Sequence, residues 1–158
     1  MPNKTTLFAC LYALSLTATV EAQLLEKKAL SLQAAKKVAA AAEANAREKG
    51  ARVVIAVVDE GGHLLLLERL DDTQVASVDV GIGKARTAAI FRRPSKVFED
   101  QIRNGRVDAL GLPGVTALQG GIPIIVGHQV IGAIGVSGET PQQEEDIALV
   151  GAQALATP

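Results

Sequence analysis

Apolar residues recur at helical spacing in an alanine-rich segment near the start of the chain. Ser31 is a residue type that caps helix N-termini, and Gly50 suits the position just past a helix end. The pattern predicts a helix between them, whose narrow apolar face packs closely on a sheet. Its predicted buried positions are Leu32, Ala35, Val38, Ala39, Ala42 and Ala46.

Four shorter apolar runs predict two β-hairpins. Arg52 to Val58 is apolar at both parities, which predicts a strand covered on both faces. His63 to Arg69 returns after Asp-Glu-Gly-Gly, a hairpin turn signal. Ile122 to Val126 and Val130 to Val136 form the second pair, with a turn at residues 127–129.

A second long helix is predicted from Gln74 to Phe91, with Thr73 as its cap. Gly81 and Gly83 would let a strand, a partner chain or a flat ligand approach this helix closely. The predicted buried stripe comprises Val75, Val78, Ile82, Ala85 and Ala89, and the ridge beside it comprises Lys84, Thr87 and Phe91.

The remaining elements complete an alternation of helices and hairpins. Ser95 is predicted to cap a short helix that closes at Asn104-Gly105, and a glycine-rich connection spans residues 108–121. Thr140 begins a last helix that runs to about Leu155. The order α-β-β-α-α-β-β-α predicts a single α+β domain, an antiparallel sheet with helices packed around it.

Residues 1–22 are predicted to be a secretory signal peptide. Lys4 gives a positive start, residues 7–20 are mostly apolar, and small residues precede a cut before Gln23. The run is too short for a spanning helix, and a lipoprotein cut before Cys10 is disfavoured because the apolar run continues past it. The expected mature chain, residues 23–158, is therefore periplasmic or secreted, with no membrane span.

The mature chain offers a small set of reactive residue types. Cys10, Met1 and Tyr12 leave with the signal peptide, so no disulfide is available and core packing, with oligomerisation, must hold the fold. The formal charge of −1 excludes a basic field for nucleic acid. The Gly81-Ile82-Gly83 sequence lacks the third glycine of a nucleotide loop, and no catalytic constellation is assembled, so the sequence leans against an enzyme.

His63 and His128 are the two histidines. With no cysteine, they are too few for a structural zinc site. His128 lies in a predicted turn, where an exposed histidine without a role is expected. His63 follows a Gly-Gly turn and precedes an apolar strand, a position that suits a ligand contact or a structural residue, and both interpretations stay open.

Six segments that follow one another along the chain form a recognisable set. They are residues 54–65 (VIAVVDEGGHLL), 69–72 (RLDD), 84–88 (KARTA), 92–93 (RR), 120–123 (GGIP) and 131–138 (IGAIGVSG). In this order they resemble the GlcG/HbpS family of haem-binding or haem-degrading domains. The Gly-Gly-His-Leu-Leu and Lys-Ala-Arg-Thr-Ala-Ala sequences, the latter followed by Arg-Arg, most resemble the GlcG branch.

The resemblance implies a profilin-like fold with an antiparallel sheet of about five strands. It also implies a homo-oligomer, often an octamer in this family, and haem as the ligand. The family's motif places Thr87 at the haem and Lys84 beside it. Because the expected mature chain has no Cys, Met or Tyr, a strong axial bond to the iron would come from His63 or His128. Otherwise the haem would be held weakly, by Thr87 and by packing at an oligomer interface.

The other predicted ligand contacts lie on the second long helix and just after it. Four basic side chains could pair with the haem propionates, namely those of Lys84, Arg86, Arg92 and Arg93. Phe91 could contact the face of the porphyrin. The main hypothesis is an exported, oligomeric haem-binding protein that sequesters or senses haem. The alternatives are a metabolic accessory or enzyme that clamps a small carboxylate with its arginines, and a structural oligomer with no ligand.

Overall fold

A computed structural model describes residues 24–155, so the predicted signal peptide lies outside the described residues. The eight predicted elements are all present in the predicted order, and a 3₁₀ helix is added between α3 and β3. No helix among residues 24–155 has the length and apolar character to cross a membrane. The elements are α1 Leu32–Glu48, β1 Val54–Asp59, β2 Leu64–Arg69, α2 Ser77–Phe91, α3 Lys96–Arg103, the 3₁₀ helix Val107–Gly111, β3 Gly121–Val126, β4 Gln129–Ser137 and α4 Pro141–Gln153.

The strands form one antiparallel sheet in the order β2-β1-β4-β3. Each predicted hairpin is present, and the two hairpins join through β1 and β4, where Val54 lies opposite Ser137 and Asp59 opposite Gly132. The fifth strand that the resemblance implied is not found in residues 107–120, which are all described and hold the 3₁₀ helix and turns.

Helices cover both faces of the central strands. One face, which carries Ile55, Val57 and Ile134, packs against α1 and α4 in the larger core. The other face, which carries Ala56 and Ala133, packs against α2. Every residue of β1 from Val54 to Val58 is fully buried, as its apolar sequence predicted.

Small residues let α2 lie almost directly on the sheet. A Cβ on Gly135 would meet the carbonyl oxygen of Gly81 and would lie 2.6 Å from the backbone nitrogen of Ala85. A Cβ on Gly83 would likewise run into Thr116. Gly81 and Gly83 therefore let a strand and a loop of the same chain approach α2 closely.

Helix α2 starts later than predicted, and its buried side is rotated. Thr73 does not cap it: the helix begins at Ser77, and the Thr73 hydroxyl is buried without a hydrogen-bond partner among the described residues. Val75, predicted to be buried, is 74% exposed. The predicted stripe followed hydrophobicity alone. The buried side of α2 also includes the polar side chains of Lys84 and Thr87, which find partners inside the protein, and of Ser77, whose hydroxyl has no hydrogen-bond partner among the described residues. The buried residues of α2 are Ser77, Gly81, Lys84, Ala85, Thr87, Ala88 and Ala89.

Ser95 lies at the predicted N-cap position of α3, but its hydroxyl does not cap the helix because it has other partners. It donates to the carbonyl of Leu118 at 2.6 Å and accepts from the N–H of Gly121 at 2.8 Å. The Ser95 N–H also donates to the Gly121 carbonyl at 2.9 Å. On the edge of β3 that faces away from β4, the N–H and the carbonyl of Gly121 are therefore both occupied. Pro123 lies two residues further along the same edge and has no N–H.

Candidate functional site

Lys84, on the predicted ligand ridge, points into the protein instead of toward solvent. Its side chain is 3% exposed, and its Nζ lies 2.5 Å from Oε2 of Glu144, whose side chain is 6% exposed. Nζ also donates to the carbonyl of Val136 at 3.1 Å. The other Glu144 oxygen accepts from the N–H groups of Gly138 and Glu139. This buried pair joins α2, the end of β4 and α4.

The sequence did not predict that Glu144 pairs with Lys84, because an acidic residue in the first turn of a helix is expected to complement the helix dipole. A signal for its burial is present in the sequence. Glu144, Ile147, Ala148 and Gly151 follow the i, i+3, i+4, i+7 spacing of the buried face of α4. A carboxylate at such a position requires an internal partner, since an unpaired buried charge is costly.

Thr87 is fully buried and binds the chain's own backbone. Its Oγ1 donates to the carbonyl of Gly83 at 2.9 Å and accepts from the N–H of Thr116 at 2.7 Å. The hydroxyl therefore fastens the 114–116 loop to α2. Contact between Thr87 and haem iron stays a prediction, and it would require this loop to move away.

Phe91, at the end of α2, packs against α3. Its ring lies edge-to-face with the buried Phe98, with ring centroids 4.9 Å apart. Phe91 is half-buried, so part of the ring stays accessible. A contact with a porphyrin could use only that accessible part unless α3 moved.

The turn between β1 and β2 brings His63 near Arg86. The Nε of Arg86 donates to the carbonyl of Gly62 at 3.3 Å, so the exposed arginine braces the turn. The His63 side chain is 82% exposed, and its Nδ1 lies 3.4 Å from Oδ1 of Asp59. That carboxylate oxygen also accepts from the N–H groups of Gly61 and His63, so the turn is well ordered. His63 is thus held at the surface.

A groove of about 610 Å³ lies between the end of α2, the β3–β4 turn and residues 25–28, which precede α1. Arg92, one of the predicted propionate contacts, lines it together with His128. Lys27 and Lys28 line the same groove from the other side. No sequence pattern predicted this site, because its residues come from four distant segments, including Glu60 of the β1–β2 turn, that share no periodicity.

The residue types fit haem in a limited way. The side chains that bind haem iron strongly are His, Cys, Met and Tyr, and residues 24–155 contain only His63 and His128 of these types. No group of three or more His, Cys, Asp or Glu side chains in residues 24–155 is arranged to hold a bare metal ion. An imidazole is therefore the one strong iron ligand that these residues can supply.

The chain is similar in sequence to known proteins over most of its length. A family model described as "Haem degrading protein HbpS-like" matches residues 30–153. The chain is 44% identical to Protein GlcG of Escherichia coli strain K12 over 111 residues, which make up 70% of this chain and 83% of GlcG.

Solved structures share the fold. The crystal structure of a double mutant of Streptomyces reticuli HbpS superposes with a TM-score of 0.79 at 31% identity, covering 89% of this chain and 98% of that one. The crystal structure of a complex of PduOC with haem superposes with a TM-score of 0.74 at 25% identity, covering 82% of this chain and 96% of that one.

Proposed function

Since the chain belongs to the HbpS-like family, we propose that it is an exported, oligomeric protein that binds haem for sequestration or sensing. The observation that carries the proposal is an open groove lined by an imidazole and basic side chains in a chain of this family. A structural neighbour solved as a haem complex supports the same ligand class. We propose that the protein binds haem and does not degrade it.

The chemistry of the described residues supports reversible binding. His63 and His128 both lie at the surface, where either imidazole could bind haem iron without unfolding of the core. The propionates carry negative charge, and the exposed Arg86, Arg92 and Arg93 could pair with them. Lys84 is less available, because its ammonium is already paired.

Haem titration of the purified protein tests the proposal. The expected result is a saturable shift of the Soret band with a defined stoichiometry, and a rise in thermal stability on loading. Spectral broadening without saturation would overturn it. In that case glycolate and related acids should be screened, because protection by a small carboxylate would favour the arginine-clamp alternative, and indifference to every ligand would favour a structural oligomer.

Loss of the Soret band over time in the presence of a reductant distinguishes degradation from binding. We expect the band to persist no less than in a control of haem bound to serum albumin. Faster loss that depends on the protein would assign turnover and would contradict a role limited to binding.

Oligomerisation is the second part of the proposal. The segment around the 3₁₀ helix exposes three large apolar side chains, Val107 at 64%, Leu110 at 65% and Leu118 at 46%. Large exposed apolar side chains that recur within twelve residues of the sequence favour a surface that another chain covers. Light scattering after size exclusion should give a mass several times that of one chain, and a monomer would contradict it.

Export is the third part, and it rests on the sequence of residues 1–22. N-terminal sequencing of the protein recovered from the periplasm or medium should start at Gln23. Retention of the full-length chain in the cytoplasm would refute export without affecting the haem proposal.

A further inference from the structure

We propose that haem binds in the groove that contains Arg92 and His128, and that the imidazole of His128 is the iron ligand. This inference rests on the proposed function and assigns its site. The sequence left His63, His128 and Thr87 as alternatives for the iron, and expected His128 to be an exposed turn residue without a role.

The shape of the groove is the first argument. Its volume of about 610 Å³ lies within the range of small-molecule sites. Apolar side chains stand exposed along it: Leu25 is 82% exposed and Ile125 is 50% exposed, and both line the groove with Val130. A flat, largely apolar ring system would cover these side chains and remove them from water.

The charges of the groove are the second argument. Lys27, Lys28 and Arg92 line it, against Glu26 and Glu60, so the groove has an excess of one positive charge before His128 is counted. A haem presents an apolar ring with two carboxylates on one edge. Basic side chains beside apolar walls match this combination, because each propionate can form a charge-assisted hydrogen bond.

The two histidines differ in their surroundings. His128 lines the groove, next to the surface that would bury the porphyrin. His63 does not line it, and its side chain is 82% exposed. An imidazole without a surrounding surface would bind haem weakly, because the porphyrin ring would stay in water. His128 has the groove beside it and His63 does not, so His128 is the better candidate for the iron ligand.

One wall of the groove is fixed by the residue next to His128. The backbone N–H of Lys28 donates to Oε1 of Gln129 at 2.9 Å, and Nε2 of Gln129 donates to the carbonyl of Glu26 at 3.4 Å. This amide therefore joins the segment before α1 to the β3–β4 turn. Gln129 is a positioning residue, since it holds the wall without itself being the iron ligand.

Matched variants of the two histidines test the assignment. His128→Gly should weaken haem affinity at least about tenfold, the loss that even an outer-shell partner of a metal ligand can cause. It should also change the Soret position and the electron paramagnetic resonance spectrum of ferric haem. Added imidazole should restore the wild-type spectrum, because the deletion leaves room for it. His63→Gly should leave both spectrum and affinity within about twofold of wild type.

Two further variants test the groove itself. Arg92→Ala should weaken affinity by up to about fivefold with an unchanged Soret position, because it removes an exposed charge contact and leaves the iron ligand in place. Gln129→Ala should weaken affinity through a faster dissociation rate, again without a spectral change. Far-UV circular dichroism of every variant establishes that the fold is kept.

The outcomes separate the two proposals. If wild type shows no saturable Soret shift, the haem function itself fails. If wild type binds but His63→Gly loses the spectrum and His128→Gly keeps it, haem binding stands and the groove assignment is overturned. If both variants keep the wild-type spectrum, neither imidazole is the ligand and the assignment is again overturned.

Discussion

Breaking the buried Lys84–Glu144 pair should cost the protein much of its stability. Both side chains are almost fully enclosed, and each charge is satisfied by the other and by backbone groups of β4 and the residues that follow it. Removal of one partner from a buried pair typically costs about 3–5 kcal/mol, because the remaining charge has no counterion.

The two single variants should differ in a set order. In Lys84→Met, the Glu144 carboxylate keeps two backbone N–H donors, so we expect a loss near 3 kcal/mol. In Glu144→Gln, the ammonium keeps the Val136 carbonyl and a neutral amide, so the loss should lie nearer 5 kcal/mol. The double variant should recover at least about 1 kcal/mol relative to the sum of the single losses.

Urea unfolding at a fixed protein concentration, followed by far-UV circular dichroism, measures these losses. Fluorescence is less suitable, because the chain has no tryptophan and its one tyrosine lies in residues 1–22. Lys96→Met is the matched control: its pair with Asp100 is 40% and 45% exposed, so its loss should stay below about 1 kcal/mol. If Lys84→Met lost no more stability than Lys96→Met, the pair would not be buried in solution and the reasoning would be refuted.

Three further predictions concern single positions. Burial, reinforced by a neighbouring carboxylate, raises the pKa of Glu68 above its ordinary 4.5, so ionised Glu68 destabilises the fold. Glu68→Gln should therefore raise the urea midpoint at pH 7, and this gain should vanish below about pH 4.5, whereas a gain independent of pH would contradict the assignment. Gly135→Ala should cost about 3 kcal/mol in the same assay, because its Cβ meets the backbone of α2, whereas Gly111→Ala, with no atom nearby, should be close to neutral. Thr87→Val should cost about 1–3 kcal/mol, because it leaves the partly buried N–H of Thr116 without an acceptor, and should keep haem affinity. Loss of the Soret shift with the fold intact would instead indicate that Thr87 contacts the iron.

The hairpins, the helix order and two of the caps were predictable from the sequence because their signals are local. The Ser31 hydroxyl accepts from the N–H of Ala34, and Thr140 and Gln143 form a capping box, as residue types three apart predict. Thr73 and Ser95 show the limit of the same rule. A serine or threonine before a helix has several partners within reach, and the fold gave the Ser95 hydroxyl the backbone near β3 instead.

The candidate site was less predictable, because it depends on contacts between distant segments. The sequence places Lys84, Thr87 and Phe91 on one ridge of α2, but which side of that helix meets the protein depends on where Glu144 and Thr116 lie, 60 and 29 residues away from Lys84 and Thr87. The position of His128 in the groove likewise depends on residues 25–28 lying beside the β3–β4 turn. A periodicity carries no information about such neighbours.

The two outer strands of the sheet differ in whether another strand can be added beside them. On the outer side of β3, Ser95 takes both backbone groups of Gly121, and Pro123 has no N–H to give, so a second chain finds no continuous ladder there. Within the sheet of residues 24–155, edge-to-edge pairing must therefore use β2. Because each copy then offers one usable edge, such pairing is isologous and stops at two copies. Pairing through the edges of this folded sheet thus cannot grow into an open-ended fibre.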